Sequence, residues 1–97
     1  MVFVVICELR YFNKDGLMTD NHTQIASVFA TEKSANSFID LKKIELEQEH
    51  KHDKIVSMYW YAGEDYAITW EVRNKLNYRG TETVTIEYYL VQEEVVP

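Results

Sequence analysis

The chain has 97 residues with one cysteine and one proline, and its 10 basic and 16 acidic residues give a net charge of −6. This length supports a single hydrophobic core, so the sequence predicts one domain over residues 1–97. The hydrophobic fraction of 46% argues against a disordered chain, and the excess of acids disfavours direct nucleic-acid binding, which depends on clustered Lys and Arg.

The first apolar segment indicates a reducing compartment and no membrane span. Cys7 ends the apolar run 2–7 and has no second cysteine to pair with, so we expect a small buried hydrophobe and a cytoplasmic protein. The run lacks a basic flank and a small-residue cleavage site, which argues against a signal peptide. No segment approaches the roughly 20 apolar residues of a membrane helix.

Residues 2–30 are predicted to form a strand, a loop and a second strand. Residues 2–7 are all apolar, and apolar and polar residues alternate from there to residue 11. This pattern is typical of a strand whose first part lies in the centre of a sheet. A turn signal at 13–16 is followed by the polar run 19–22, and the apolar pattern returns at 24–30. The sequence therefore predicts a hairpin with a long loop.

A helix is predicted over residues 31–49, because Thr31 is a good N-cap and Glu32 places an acid in the first turn. Leu41 and Ile44 form a second stripe, away from the face expected to dock on the sheet. Two interpretations of this stripe stay open: a loop or the C-terminal strand covers it, or it is a partner or dimer surface. The docking face comprises Ala35, Phe38, Ile39, Lys42 and Leu46.

A three-stranded antiparallel meander is predicted over residues 55–91, with strands at 55–62, 66–76 and 81–91 joined by short connections. In the first of these strands two sets of apolar side chains compete for the inside, so aromatic surface remains on the outer face in either case. The expected fold is α+β: a five-stranded, mainly antiparallel sheet with one helix on one face, in the chain order β-β-α-β-β-β.

Surplus aromatic side chains on an open sheet face suggest a contact surface. They resemble the stacking platforms of RNA-binding sheets, but acids surround them where such platforms carry bases. Aromatics beside acids favour a protein-protein contact, and the alternative is that they only form cross-strand pairs. The candidate partner-binding residues are Leu41, Ile44, Tyr59, Tyr61, Tyr89, Glu71 and Glu87.

Catalysis has weaker support. His50, His52 and Asp53 could contribute to a metal site, but such sites need three or four convergent ligands, and cations at a helix C-terminus explain the cluster equally well. Cys7 is disfavoured as a nucleophile because burial opposes the thiolate. The sequence has no phosphate-binding glycine loop and no serine nucleophile motif. We therefore expect no enzyme and no cofactor, with a metal-dependent small enzyme as the alternative.

Mimicry of nucleic acid by an acidic face is a subordinate form of the binding hypothesis. Duplex DNA as long as a compact domain of this size carries about 19 charges. The net charge of −6 falls short of this. Mimicry therefore needs acids concentrated on one face or doubled in a dimer, such as Glu45 and Glu49 on the helix or Glu71 and Glu87 on the sheet.

One resemblance adds a biological setting. After a strand and a polar loop the chain reads VFATEKSA at 28–35 and then Phe38-Ile39. Over residues 2–46 this pattern resembles small bacteriophage-encoded accessory proteins. The resemblance implies a protein that acts in the host cytoplasm by binding, and by inhibiting or modulating a host protein; it transfers no active-site residue. The functional prediction is thus a non-enzymatic protein-binding module, and a purely structural homodimer with paired sheet faces is a further alternative.

Overall fold

The computed structural model describes residues 1–61, 65–71 and 81–94, without the side chains of Tyr61, Thr81 and Glu82. Its elements are strand β1 (Val2–Asn13), strand β2 (Met18–Phe29), helix α1 (Glu32–Glu49), and strands β3 (Ile55–Tyr61), β4 (Asp65–Glu71) and β5 (Thr81–Glu93). The chain order β-β-α-β-β-β is confirmed. Residues 72–76, which were predicted to extend β4, and both connections of the meander at 62–64 and 72–80 lie outside the described residues.

The strands form one antiparallel sheet in the order β2-β1-β5-β4-β3. The predicted α+β fold and the meander of β3, β4 and β5 are therefore confirmed. The structure adds a long-range pairing, because β5 lies against β1 and joins the meander to the hairpin of β1 and β2. The two longest-paired strands, β1 and β5, thus occupy the centre of the sheet, and β2 and β3 form its edges.

The prediction of a long loop in the first hairpin is wrong. The turn is short: the Asn13 side-chain oxygen accepts hydrogen bonds from the backbone N–H groups of Asp15 (2.9 Å) and Leu17 (3.0 Å), and Gly16 takes the positive φ of 80° that the turn requires. The polar residues 19–22 belong to β2 and pair with β1. Residues of an edge strand can be polar, because backbone hydrogen bonds to the neighbouring strand hold them in the sheet. The polarity of residues 19–22 therefore did not indicate a loop.

Helix α1 begins and docks as predicted. Thr31 is its N-cap, with the Thr31 hydroxyl accepting a hydrogen bond from the Ser34 N–H at 3.2 Å, and His50 is its C-cap. Ala35, Ile39 and Leu46 are buried against the sheet, where they form the core together with Val5, Tyr66 and Ile68. Phe38 packs on Phe29, with ring centroids 5.4 Å apart.

The structure decides which side chains of β3 face the helix. Met58 and Trp60 pair with Ile68 and Tyr66 on the helix side, where the Lys43 ammonium lies 4.6 Å from the Trp60 ring centroid. Tyr59 consequently points to the other face of the sheet. Aromatic surface on that outer face was the predicted outcome.

The molecule is more elongated than its length suggests. Its radius of gyration is 15.0 Å and its extents are 50 × 26 × 18 Å, whereas a compact domain of this length has a radius of gyration of about 12.5 Å. A helix of this length spans about 27 Å and the central strands about 40 Å. The smallest extent leaves room for two layers only, and α1 lies on one side of the sheet.

Candidate functional site

The face of the sheet opposite α1, here called the outer face, is the largest candidate site. Side chains alternate between the two faces along each strand. In β1, Phe3 and Val5 face the helix. The β1 residues that face away from it are Val4, Ile6, Glu8, Arg10 and Phe12. Cross-strand partners share a face, so the neighbours of these β1 residues in β2 and β5 also lie there. Among the described residues, no helix or strand lies over this face.

One end of the outer face is apolar on strands β2, β1 and β5. Two cross-strand rows form it: Val28, Val4 and Val91, and next to them Ile25, Ile6 and Tyr89. We call these six residues the apolar half. Val4 is 8% exposed because its strand neighbours flank it, whereas Ile25 and Val28 near the edge are 64% and 52% exposed. Exposed branched aliphatic side chains in adjoining rows are a feature of contact surfaces.

A small ionic cluster follows the apolar half. Glu8 of β1 lies directly opposite Glu87 of β5, a pairing that places two like charges side by side. Arg10 offsets this repulsion, because its Nε donates to Glu8 Oε1 at 2.9 Å and its Nη2 to Glu87 Oε1 at 3.3 Å. The outer face therefore changes from apolar to ionic midway along the central strands.

The structure brings several predicted binding residues onto this one face. Tyr59 pairs with Ala67, whose other neighbour is Glu87, and Tyr89 pairs with Asp65. Glu71 lies at the far end of β4, where its carboxylate is 3.2 Å from the Lys54 ammonium. Tyr61 ends β3, and its side chain lies outside the described part of the structure.

Leu41 and Ile44 lie on a separate surface. They are 52% and 57% exposed on the solvent side of α1, across the molecule from the outer face. The interpretation that a loop or the C-terminal strand covers them is wrong for the part of the chain that the structure describes. This helix stripe and the outer face cannot form one continuous site.

The apolar half contains residues that the sequence did not single out, notably Ile25 and Val28. Simple alternation places positions 25 and 28 on opposite faces. In the structure the register shifts between the pairs Val5–Ser27 and Ile6–Ile25, so β2 has a bulge at Ala26. The bulge turns Ile25 and Val28 to the same face, and a period-two pattern alone gives no signal of it.

The histidine cluster is only partly assembled. His50 Nδ1 is 2.8 Å from Asp53 Oδ2, and the His50 ring stacks on Trp70 with centroids 3.9 Å apart. Together with Met58 and Ile68, His50 lines an open pocket of about 260 Å³. His52 is exposed. Across residues 1–61, 65–71 and 81–94, no three His, Cys, Asp or Glu side chains are grouped so as to hold a metal ion.

Buried titratable groups lie on the helix side of the sheet and favour their neutral forms. Burial raises the pKa of the Cys7 thiol, although a hydrogen bond with Tyr88 and the charge of Lys42 act against the rise. Burial also raises the pKa of Tyr66 to about 12, with a further contribution from Glu47, and raises that of Tyr88. A neutral buried thiol is a poor nucleophile, which agrees with a structural role for Cys7.

Comparison of the chain with protein-family models, with curated proteins and with solved structures found no match. Within the described residues, no helix is long and apolar enough to span a membrane.

Proposed function

We propose that this chain is a non-catalytic protein-binding module and that the outer face of its sheet is the binding surface. One observation carries the proposal: one side of a five-stranded sheet has no second layer among the described residues, and one end of that side is apolar on three adjacent strands. Its anchors are aliphatic and tyrosine side chains beside a compact ionic cluster, a composition typical of protein-protein interfaces.

The central strands support this interpretation through their sequence. The run 2–7 of β1 is apolar at every position, and residues 88–91 of β5 read Tyr-Tyr-Leu-Val. Strands that are apolar on both sides are typical of sheets covered on both faces. Here α1 covers one face, so the apolar character of the other face favours an additional layer supplied by another protein molecule.

The charges of the face favour apolar recognition over mimicry of nucleic acid. Glu71 pairs with Lys54, and Glu87 pairs with Arg10, so both of the acids proposed for an acidic sheet face have a cationic neighbour. We accordingly assign recognition to the apolar half and to Tyr59 and Tyr89, with the ions selecting the partner's orientation.

The biological setting is proposed from the resemblance of residues 2–46 to bacteriophage-encoded accessory proteins. In that setting the module acts in the host cytoplasm and modulates or inhibits one host protein by occupying its surface. The helix stripe of Leu41 and Ile44 is a second, smaller contact region on the opposite side of the molecule.

The proposal is tested by capture of bacterial proteins on the immobilised chain. The intact protein is compared with Tyr59→Ala/Tyr89→Ala on the outer face and with Leu41→Asp/Ile44→Asp on the helix, each checked for folding by circular dichroism. We expect one stoichiometric partner that the tyrosine variant loses by roughly 30-fold or more in affinity, since anchor truncations cost about 2 kcal/mol. Loss with the helix variant alone moves the site to α1, and the absence of any specific partner contradicts a host-binding role.

A further inference from the structure

The edge strand β3 is a second surface through which the sheet can bind. We infer that β3 pairs edge to edge, in antiparallel orientation, with β3 of a second copy of this chain, so that the two sheets become one continuous sheet. This association goes beyond the proposed function. It uses the strand edge and leaves the outer face of each copy open to a host protein.

The backbone of β3 offers a regular template for a further strand. Among the described residues, β4 is its only strand neighbour, because β3 ends the order β2-β1-β5-β4-β3. The outer side of an edge strand presents N–H and C=O groups that pair with an added strand. The register with β4 is uninterrupted from the pair Ser57–Thr69 to the pair Tyr61–Asp65, and the register shift of this strand precedes Ser57.

The two edges of the sheet differ in how they are protected. Natural edge strands carry charges, prolines or bulges that discourage pairing. Strand β2 contains Asp20 and a bulge at Ala26. Strand β3 reads IVSMYWY, and among the five strands that the structure describes it alone contains no charged residue. Its apolar side chains are also accessible, since Met58 is 55% and Trp60 is 46% exposed.

The absence of charge in β3 favours a second copy as the occupant of this edge. Two copies of a chain with a net charge of −6 repel each other, and the repulsion is smallest where neither copy contributes a charge. An antiparallel pair of β3 strands sets no like charges opposite each other. Helix α1 packs chiefly on β1, β2, β4 and β5, so the helices of two copies joined at β3 do not meet.

The side chains of β3 are complementary to themselves about position 59. An antiparallel pair centred there sets Met58 of each copy opposite Trp60 of the other, on the helix side of the sheet. The Lys43 ammonium lies over the face of the Trp60 ring, and a methionine sulfur makes favourable contacts at a ring edge. A two-fold axis perpendicular to the sheet generates both Met58–Trp60 contacts at once, which is the reciprocity of an isologous interface.

The size of the edge predicts a weak dimer. Strand β3 has 7 residues, a length of about 23 Å, and the smallest extent of the molecule is 18 Å. The edge therefore offers roughly 400 Å² per copy, against about 800 Å² in a standard stable interface. We expect a monomer–dimer equilibrium with a dissociation constant on the order of 100 µM.

The pairing is tested by light scattering of the purified full chain from about 1 mM to about 10 µM, a range that spans this dissociation constant. Met58→Lys places a charge within the edge, as natural edge strands do. Met18→Lys is the matched control, because it makes the same change at a 56% exposed position on the opposite edge strand. We expect the intact protein and Met18→Lys to approach twice the mass of one chain, and Met58→Lys to associate at least tenfold more weakly.

A charge exchange at position 59 tests the register and does not depend on whether Met58→Lys folds. Tyr59→Lys and Tyr59→Glu each set like charges opposite each other on the axis, so each variant alone should stay monomeric. An equimolar mixture sets Lys opposite Glu. Native mass spectrometry should then detect a heterodimer, which its mass distinguishes from either homodimer.

Three results overturn the inference: an intact protein that is monomeric up to about 1 mM, an association that Met58→Lys weakens no more than Met18→Lys does, or a mixture of the position-59 variants without heterodimer. Failure here is separable from failure of the proposed function, because Met58 lies on the helix side and Met58→Lys leaves the outer face unchanged. A chain that does not self-associate but captures a host protein loses the β3 pairing and keeps the binding surface.

Discussion

Both faces of the sheet contain apolar side chains, but helix α1 covers only one of them. Val5 and Val4 are adjacent in β1, and both are buried. Val5 lies under α1, whereas Val4 lies on the outer face between its strand neighbours Val28 and Val91. An apolar residue can therefore be buried in the single chain on either face. Alternation along a strand therefore assigns a side chain to a face, whereas the layer that covers that face depends on tertiary packing.

The largest expected effect separates core from surface. Ile39→Ala removes a fully buried side chain from the helix face and should lower the free energy of unfolding by about 3 kcal/mol or more through loss of burial and formation of a cavity. Ile44→Ala makes the same change on the exposed side of the same helix and should cost below about 0.5 kcal/mol. Urea unfolding followed by circular dichroism measures both. Equal losses would contradict the assigned helix faces.

Alkaline pH should lower the stability of the fold through a tyrosine on the helix side of the sheet. The pKa of Tyr66 is raised from 10.0 to about 12, so the folded state favours the protonated phenol. The stabilisation is complete below the ordinary pKa and is lost as the pH rises through the folded-state value, with a loss of about 1 to 2 kcal/mol between pH 11 and pH 12. Urea unfolding at pH 9 and at pH 11 to 12 tests this.

Tyr66→Phe is the matched control for the pH dependence. It keeps the ring and removes the titrating hydroxyl, so its stability should fall less steeply over the same pH range. A residual fall is expected from Tyr88, whose pKa is raised by burial and by its hydrogen bond with Cys7. Identical pH profiles for Tyr66→Phe and the intact protein would show that Tyr66 does not titrate as described.

Loss of the helix cap should have an intermediate effect. Thr31→Ala removes the acceptor for the Ser34 N–H and should cost about 1 kcal/mol. Thr31→Ser retains the hydroxyl and should stay within a few tenths of a kcal/mol of the intact protein. Thermal unfolding of the pair measures the difference, and a Thr31→Ser loss as large as that of Thr31→Ala would point to the methyl group instead of the cap.

The smallest effect on stability is expected from the helix stripe. Leu41→Asp with Ile44→Asp replaces side chains that are more than half exposed, so the change in unfolding free energy should remain below about 1 kcal/mol. The same double change placed at Ile39 and Leu46 should abolish folding, because both are buried. Urea titration of the two variants sharpens the contrast between the two sides of α1, and an unfolded Leu41→Asp/Ile44→Asp variant would show that the stripe is core.

Local signals in the sequence were sufficient for the helix, its Thr31 cap, its buried side and the antiparallel meander. They failed where the structure depends on pairing between distant segments or on irregular register. Residues 19–22 were assigned to a loop because they are polar, yet pairing with β1 places them in a strand. The contact of β5 with β1 joins residues about 80 positions apart, which no local pattern specifies.

The candidate site was predictable only in part for the same reason. Tyr59, Tyr89, Glu71 and Glu87 were expected on an open face and lie there. The apolar half of that face depends on the bulge at Ala26, which brings Ile25 and Val28 onto the same face. Whether Leu41 and Ile44 are covered within the chain or exposed to a partner depends on tertiary packing over the helix, which the sequence pattern does not specify.

The most direct test of the outer face as a binding surface is the solvent accessibility of methyl groups, measured by NMR with a soluble paramagnetic chelate. Ile25 and Val28 report on the outer face, and Leu41 and Ile44 report on the helix stripe. We predict that protection of Ile25 and Val28 rises on addition of a captured partner, while Leu41 and Ile44 remain accessible. Ile25 and Val28 that stay as accessible as the helix residues under every condition would contradict a binding role for this face.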